Sequence, residues 1–246
     1  MSGPGADRAL ERIRTAYERR STVYSPLEPW ICMLRQEKER ALVGWLREAG
    51  LGPVDSIGLV ELGCGNGSNL LDFLRLGFAP ERLAGGDLIE SRVAAARRLL
   101  PPAVALRCAD ASTVDFPDAS FDVVYQSMMC SSILDDDLLA AVVDRMWKLA
   151  KPGGGVLWYD FTVDNPRNPD VRGLPLRRVR AMFPQSRAPR VRRLTLAPPL
   201  ARRVTRLHPA LYTVCNALPL LRTHVLCWFP KPARGEDEMT KRGRAS

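Results

Sequence analysis

Histidine is nearly absent from this chain of 246 residues, which has only His208 and His224. With so few, and with no Cys, Asp or Glu set at ligand spacing, the sequence argues against a metal centre. The six cysteines, at positions 32, 64, 108, 130, 215 and 227, form no C-x-x-C pair. That excludes a paired redox motif and is read as buried, reduced thiols in a cytoplasmic protein. No run of eighteen apolar residues occurs, so no membrane-spanning helix is expected. The first residues, Met1 to Asp7, lack a basic start followed by an apolar core, so no secretory signal is expected. Internal repeats and low-complexity tracts are lacking too.

What is present is the composition of a soluble globular protein, 46% hydrophobic and 26% charged, long enough for one large domain. Its charge is uneven. Residues 1–164 hold 18 Lys and Arg against 23 Asp and Glu, a net of −5; residues 165–246 hold 18 against 4, a net of +14. Such a field favours an anionic partner: a substrate, a lipid surface or a nucleic acid. An exposed basic face without a partner is the alternative reading.

Two helices are predicted first, over 7–20 and 31–49, joined by a connector with two prolines and stopped by Gly50 and Gly52. An alternation of strands and helices follows. Strands are predicted at 57–62, 83–87, 104–108, 121–126 and 156–161, and helices at 68–76, 90–100 and 136–150. Lys151-Pro152-Gly153-Gly154-Gly155 is read as a turn. This pattern predicts an α/β fold with a parallel sheet covered on both faces. Beyond residue 161 a basic helix (176–183), a strand (191–196), a proline-flanked apolar and basic insertion (198–219) and a last strand (224–229) are expected. The charged tail, 234–246, is expected to be disordered. The division expected is a helical cap at 1–52, a main domain at 53–233 and that tail.

The most informative run is Val60-Glu61-Leu62-Gly63-Cys64-Gly65-Asn66-Gly67-Ser68. A strand, a glycine turn and a helix open a nucleotide-binding unit. Dinucleotide sites use G-x-G-x-x-G, whereas here the spacing is G-x-G-x-G, with Ser68 where the third glycine would fall. With Glu61 two residues before the first glycine, the run resembles motif I of the class I S-adenosylmethionine-dependent methyltransferases. Asp87, Cys108-Ala109-Asp110-Ala111, the run from Asp115 to Asp122, and Lys151-Pro152-Gly153-Gly154 are similar to later motifs of that family, in the right order. The resemblance implies a Rossmann-like fold with a mostly parallel, seven-stranded sheet, and S-adenosylmethionine as cofactor.

It further implies that Glu61, Gly63, Cys64, Gly65 and Gly67 shape the cofactor's methionine and ribose end. Asp87 is expected to accept the ribose hydroxyls, Leu88 to cover the adenine, and Asp110 with Ala111 to hold the adenine edge. Gln126, after the fourth strand, is placed at the same site. An acceptor is expected beyond the carboxyl ends of the strands, near residues 126–130 and 159–167 and under Tyr17, Tyr24 and Trp30. Asp160 and His208 are the candidate general bases, and His224 is read as structural. The run typical of nucleic-acid base methylation in this family is missing after the fourth strand, where Gln126-Ser127-Met128-Met129 stands; this argues against a nucleic-acid substrate. The reading is an enzyme methylating a small-molecule acceptor, a hydroxyl of a sugar or natural product, which the basic end allows to be anionic. Two alternatives stand beside it. One is a peripheral enzyme with weak membrane-surface association, acting on a lipid-linked or quinone-type acceptor; the other is a binding protein without turnover.

Overall fold

The computed structural model describes residues 4–19, 25, 27–166 and 168–233. The expected disorder of 234–246, and the places near the acceptor expected of Tyr24 and of residue 167, lie outside the described residues. Helices α1 (Pro4–Arg19) and α2 (Pro29–Ala49) come first. Then follow β1 (Leu59–Leu62), α3 (Ser68–Arg75), β2 (Leu83–Asp87), α4 (Glu90–Leu99), β3 (Ala105–Cys108), β4 (Phe121–Ser127), α5 (Asp136–Leu149) and β5 (Ala150–Phe161). The basic third contributes α6 (Leu176–Ala181), β6 (Arg190–Leu196), α7 (Pro198–Leu207), α8 (Ala210–Asn216) and β7 (Arg222–Pro230).

The seven strands form one sheet in the order β3-β2-β1-β4-β5-β7-β6. β7 runs antiparallel to both of its neighbours, and the remaining pairs are parallel. The order reverses between β1 and β4, which places a ligand crevice beyond the carboxyl ends of those strands. Both sheet faces are covered, so the strands carry apolar residues on both sides. Val60, Val124, Trp158 and Cys227 pack with α5, α6 and the inner side of α1. Leu59, Tyr125, Leu157 and Leu226 pack with α2, α3 and α4. The two N-terminal helices thus complete opposite cores. A smaller cluster joins Trp30 and Ile31 of α2 to Leu196, Ala201 and Tyr212.

Three expectations change. Residues 151–155 extend β5 rather than form a turn. The register shifts between Phe121 and Val123 of β4. A side chain at Gly154 would lie 2.4 Å from the Asp122 carbonyl oxygen, and one at Gly155 2.4 Å from that of Phe229. The glycines therefore let this irregular strand start press against both neighbours. The insertion at 198–219 is two helices: α7, whose apolar and basic residues alternate at helical spacing, and the uncharged α8. Of the cysteines, Cys64, Cys130 and Cys227 are buried, Cys215 is half-buried, and Cys32 and Cys108 are exposed.

Candidate functional site

The loop from β1 to α3 is fixed from beneath by β2. The Gly63 and Cys64 N–H groups donate to the Gly86 carbonyl at 2.8 and 3.0 Å. All three glycines have positive φ, +73° at Gly63, +55° at Gly65 and +83° at Gly67, a backbone that favours glycine. Their missing side chains serve different purposes. A Cβ at Gly63 would lie 2.7 Å from the Met129 side chain, and one at Gly67 2.7 Å from Leu100 and 3.2 Å from Ala96. Those spaces are filled by protein. At Gly65 the nearest atoms are the Arg92 guanidinium, 3.7 Å away, and Gly65 borders the cleft. Cys64 also borders the cleft, but its sulfur packs beneath Gly85. Burial raises its thiol pKa, so the thiol is inert.

Asp87 is buried at the end of β2, on the cleft wall. One carboxylate oxygen accepts the Gly65 N–H at 2.8 Å and the other accepts the Ile89 N–H at 3.0 Å. Leu88, Ile89, Asp110 and Ala111 continue the wall. Asp110 closes its own turn, accepting from the Ser112 N–H at 2.9 Å and the Ser112 hydroxyl at 2.7 Å. Glu61 is fully buried and stands behind the wall. Its Oε1 accepts from the Asn69 amide at 2.5 Å, and Asn69 in turn accepts from Lys38 at 2.6 Å. The other oxygen, Oε2, has no partner among the described residues. Burial pushes the Glu61 carboxyl up to about 8, with the Asn69 hydrogen bond opposing, and burial also lowers Lys38.

These residues open on a cleft of about 1480 Å³, more than the roughly 300–1,000 Å³ of an ordinary ligand pocket. The volume has room for two ligands side by side. Its far end is built by Trp30 and Leu34 of α2, Tyr159 and Phe161 of β5, Arg202 of α7 and His224 of β7. Tyr17 of α1 covers the junction; its hydroxyl lies 3.1 Å from the Ser132 hydroxyl, and Arg92 stacks 4.5 Å from its ring centroid. Met128, also on the wall, holds φ +61°, a costly conformation for a bulky residue. The Tyr159 carbonyl holds it there, accepting the Met128 N–H at 2.9 Å.

Besides Glu61 and Gly67, which stand behind the wall, three more expected site residues do not line the cleft. His208 is exposed at the end of α7, where a ring nitrogen accepts the Ala210 N–H at 3.2 Å. Asp160 is fully buried and accepts the Ser131 N–H at 3.0 Å and the Phe161 N–H at 2.9 Å. Burial pushes its carboxyl up to about 7. Gln126, equally buried, accepts the Met129 and Cys130 N–H groups at 3.2 and 3.4 Å. Asp160 and Gln126 therefore hold the turn over 128–132, and neither they nor His208 reach a ligand in the cleft.

His224 does border it. Its Nδ1 lies 2.9 Å from the Thr223 hydroxyl, and its ring stacks on Tyr159 with centroids 5.4 Å apart. Burial, with Lys38 adding to it, lowers the imidazole to about 4, so it stays neutral near pH 7. The alternation of β7 puts His224 on the face of Leu226 and Trp228, but nothing in the sequence signals that this face opens on a cleft. Lys38 was hidden likewise among the many charges of α2. Among the described residues, no group of three or more His, Cys, Asp and Glu is placed to hold a metal.

Residues 59–154 match the family described as "Methyltransferase domain". No curated protein matches the sequence. A putative methyltransferase from Bacillus halodurans superposes with a TM-score of 0.57 at 15% identity, over 79% of this chain and 100% of its own. The [4+2]-cyclase SpnF superposes with a TM-score of 0.58 at 16% identity, over 80% and 83%. A phosphoethanolamine N-methyltransferase of Haemonchus contortus, solved with phosphomonomethylethanolamine and S-adenosylhomocysteine, gives 0.56 at 16% identity, over 78% of this chain and 52% of its own. Residues 59–154 thus match a methyltransferase domain family, and the chain as a whole has the fold of the class I S-adenosylmethionine-dependent methyltransferases.

Proposed function

We propose that the protein methylates a small-molecule acceptor with an apolar body and a reactive hydroxyl, a natural product rather than a bare sugar. The observation that carries this reading is the single cleft. One end is bounded by the glycine loop, Asp87 and Asp110, and the other by aromatic side chains and a neutral imidazole.

The residues present suit the cofactor. The open Cβ position of Gly65 admits it close to the backbone. Asp87 has lone pairs left for the ribose hydroxyls after its two N–H bonds, and Leu88 with Asp110 and Ala111 borders the place for adenine. Glu61 is assigned a positioning role, orienting Asn69, which does border the cleft. Held by these residues, S-adenosylmethionine would supply an electrophilic methyl group on its sulfonium.

The chain's own part is to align the acceptor, exclude water and receive a proton. Trp30, Leu34 and Phe161 hold the acceptor body, and α1 shields the junction through Tyr17. The hydroxyl proton passes to Nε2 of His224 and from there to water. Thr223 fixes the ring through Nδ1. Because His224 is neutral near pH 7, its ring nitrogen is ready to accept.

Two measurements test the reading. Titration calorimetry with S-adenosylhomocysteine should show binding. Methyl-labelled S-adenosylmethionine should pass label to hydroxylated aromatic or isoprenoid acceptors. Absence of cofactor binding overturns the whole assignment; binding with transfer to none of these acceptors overturns the acceptor class.

A further inference from the structure

The hairpin of α7 and α8 carries an outward face that the cleft does not use. Leu207 is 80% exposed, Val214 64%, Leu218 58% and Leu220 98%. All four fall within residues 207–220, and only two residues separate the helices. On α8, Ala210, Thr213 and Val214, with Ala217 just beyond its end, are exposed at helical spacing, and α8 holds no charged residue. On α7, Arg203, Arg206 and Leu207 share the exposed side, while Ala201 and Thr205 are buried. The face is therefore an apolar centre with an arginine border. The surrounding sequence is one-sided: residues 171–235 contain 14 Lys and Arg and neither Asp nor Glu.

The face is firmly held, so its exposure is not that of a loose loop. Glu37 of α2 is buried and accepts from the Tyr212 hydroxyl at 2.7 Å, the Asn216 amide at 2.7 Å and the Thr195 N–H at 3.1 Å. Arg222 donates to the Asn216 carbonyl at 2.7 Å. Helix α7 reaches the cleft from its other end, where Pro198, Pro199 and Arg202 line the wall.

We infer that this hairpin docks on an anionic lipid bilayer. The apolar side chains enter the headgroup boundary while Arg203 and Arg206 meet the lipid charge. The inference rests on the proposed function and narrows its acceptor to one dissolved in the membrane, with an apolar body that enters the cleft beside α7. A nucleic acid suits the face less well, because its centre is leucine and valine rather than cationic.

The test uses the full chain with vesicles of equal parts phosphatidylglycerol and phosphatidylcholine at low salt, with phosphatidylcholine alone as control. The wild type should co-sediment with the anionic vesicles, and salt should weaken binding. Leu218→Glu with Leu220→Glu should lower the partition coefficient by about tenfold or more. Both sites are exposed and remote from the cleft, so melting temperature and S-adenosylhomocysteine affinity should stay unchanged. The idea is overturned if the wild type stays in the supernatant, if the double variant sediments as well as the wild type, or if the face proves to be a self-interface, seen as a dimer that the double variant dissolves. Vesicle binding without cofactor binding would instead remove the methyl-transfer reading alone.

Discussion

The two ends of the cleft are built in opposite ways. The cofactor end is made by one contiguous stretch of chain, residues 61–111, where strand ends and tight turns bring backbone N–H groups to carboxylates. The proposed acceptor end is assembled from α2, β5, α7 and β7, segments spread along the chain from residue 30 to residue 224, and is dominated by rings and alkyl groups. Local backbone chemistry leaves marks in a sequence, whereas convergence of distant side chains leaves few.

The largest effect expected lies at the acceptor end. His224→Asn should lower kcat by about 10²- to 10⁴-fold, the range of a lost general base, while S-adenosylhomocysteine affinity stays unchanged by calorimetry. A rate within about threefold of wild type would move the proton acceptor elsewhere. Next is the joint beneath that end. Glu37→Ala leaves the buried Tyr212 hydroxyl and Thr195 N–H without their carboxylate, at a cost of about 3 kcal/mol and a fall of roughly 6–12 °C in melting temperature. A melting temperature within 2 °C or so of wild type would show that the helices hold together without it.

At the cofactor end, Asp87→Ala should weaken S-adenosylhomocysteine binding by about tenfold to a hundredfold, as for a hydrogen bond to a charged acceptor. Equal affinity in the variant would refute the ribose assignment.

The two ends also differ in how pH acts on them. Unfolded His224 takes its proton near 6.5, but folded His224 only near 4. The unfolded chain therefore binds more protons in that window, and stability is lost as pH falls from about 6.5 to 4. Glu61 acts with the opposite sign. Its folded carboxyl keeps its proton up to about 8, against 4.5 when unfolded, so stability is lost as pH rises through that window. Denaturation across pH with His224→Asn and Glu61→Gln separates the two: the first should flatten the acid limb, the second the neutral one. Unaltered limbs in both would mean that neither group titrates as its burial implies.

The same contrast explains what could be read beforehand. Glycines at alternate positions, an aspartate ending β2 and the order of strands and helices were visible because each satisfies a local backbone need. The sheet therefore followed from the sequence, as did the place of Asp87 and Asp110 beside the glycine loop. Burial was harder to foresee. Asp160 and Gln126 have the residue types of a reactive site, yet they brace a turn, because backbone N–H groups at 129–131 had no other acceptor. His208 resembled a base in an insertion and proved to be the exposed end of a helix. His224, in a strand, became a wall of the cleft beside Tyr159, a place set by residues far from it in the chain.

The three glycines of the loop bear on redesign. Two of the vacancies are already filled by the enzyme's own side chains, Met129 at Gly63 and Leu100 with Ala96 at Gly67. Enlarging either residue would push β4's turn or helix α4 out of place before it touched a nucleoside. Gly65, with φ +55° and its nearest neighbour 3.7 Å away, is the one adjustable position. Asparagine, which tolerates that backbone, would probe it, so an effort to fit bulkier or trimmed sulfonium analogues has a single dial to turn.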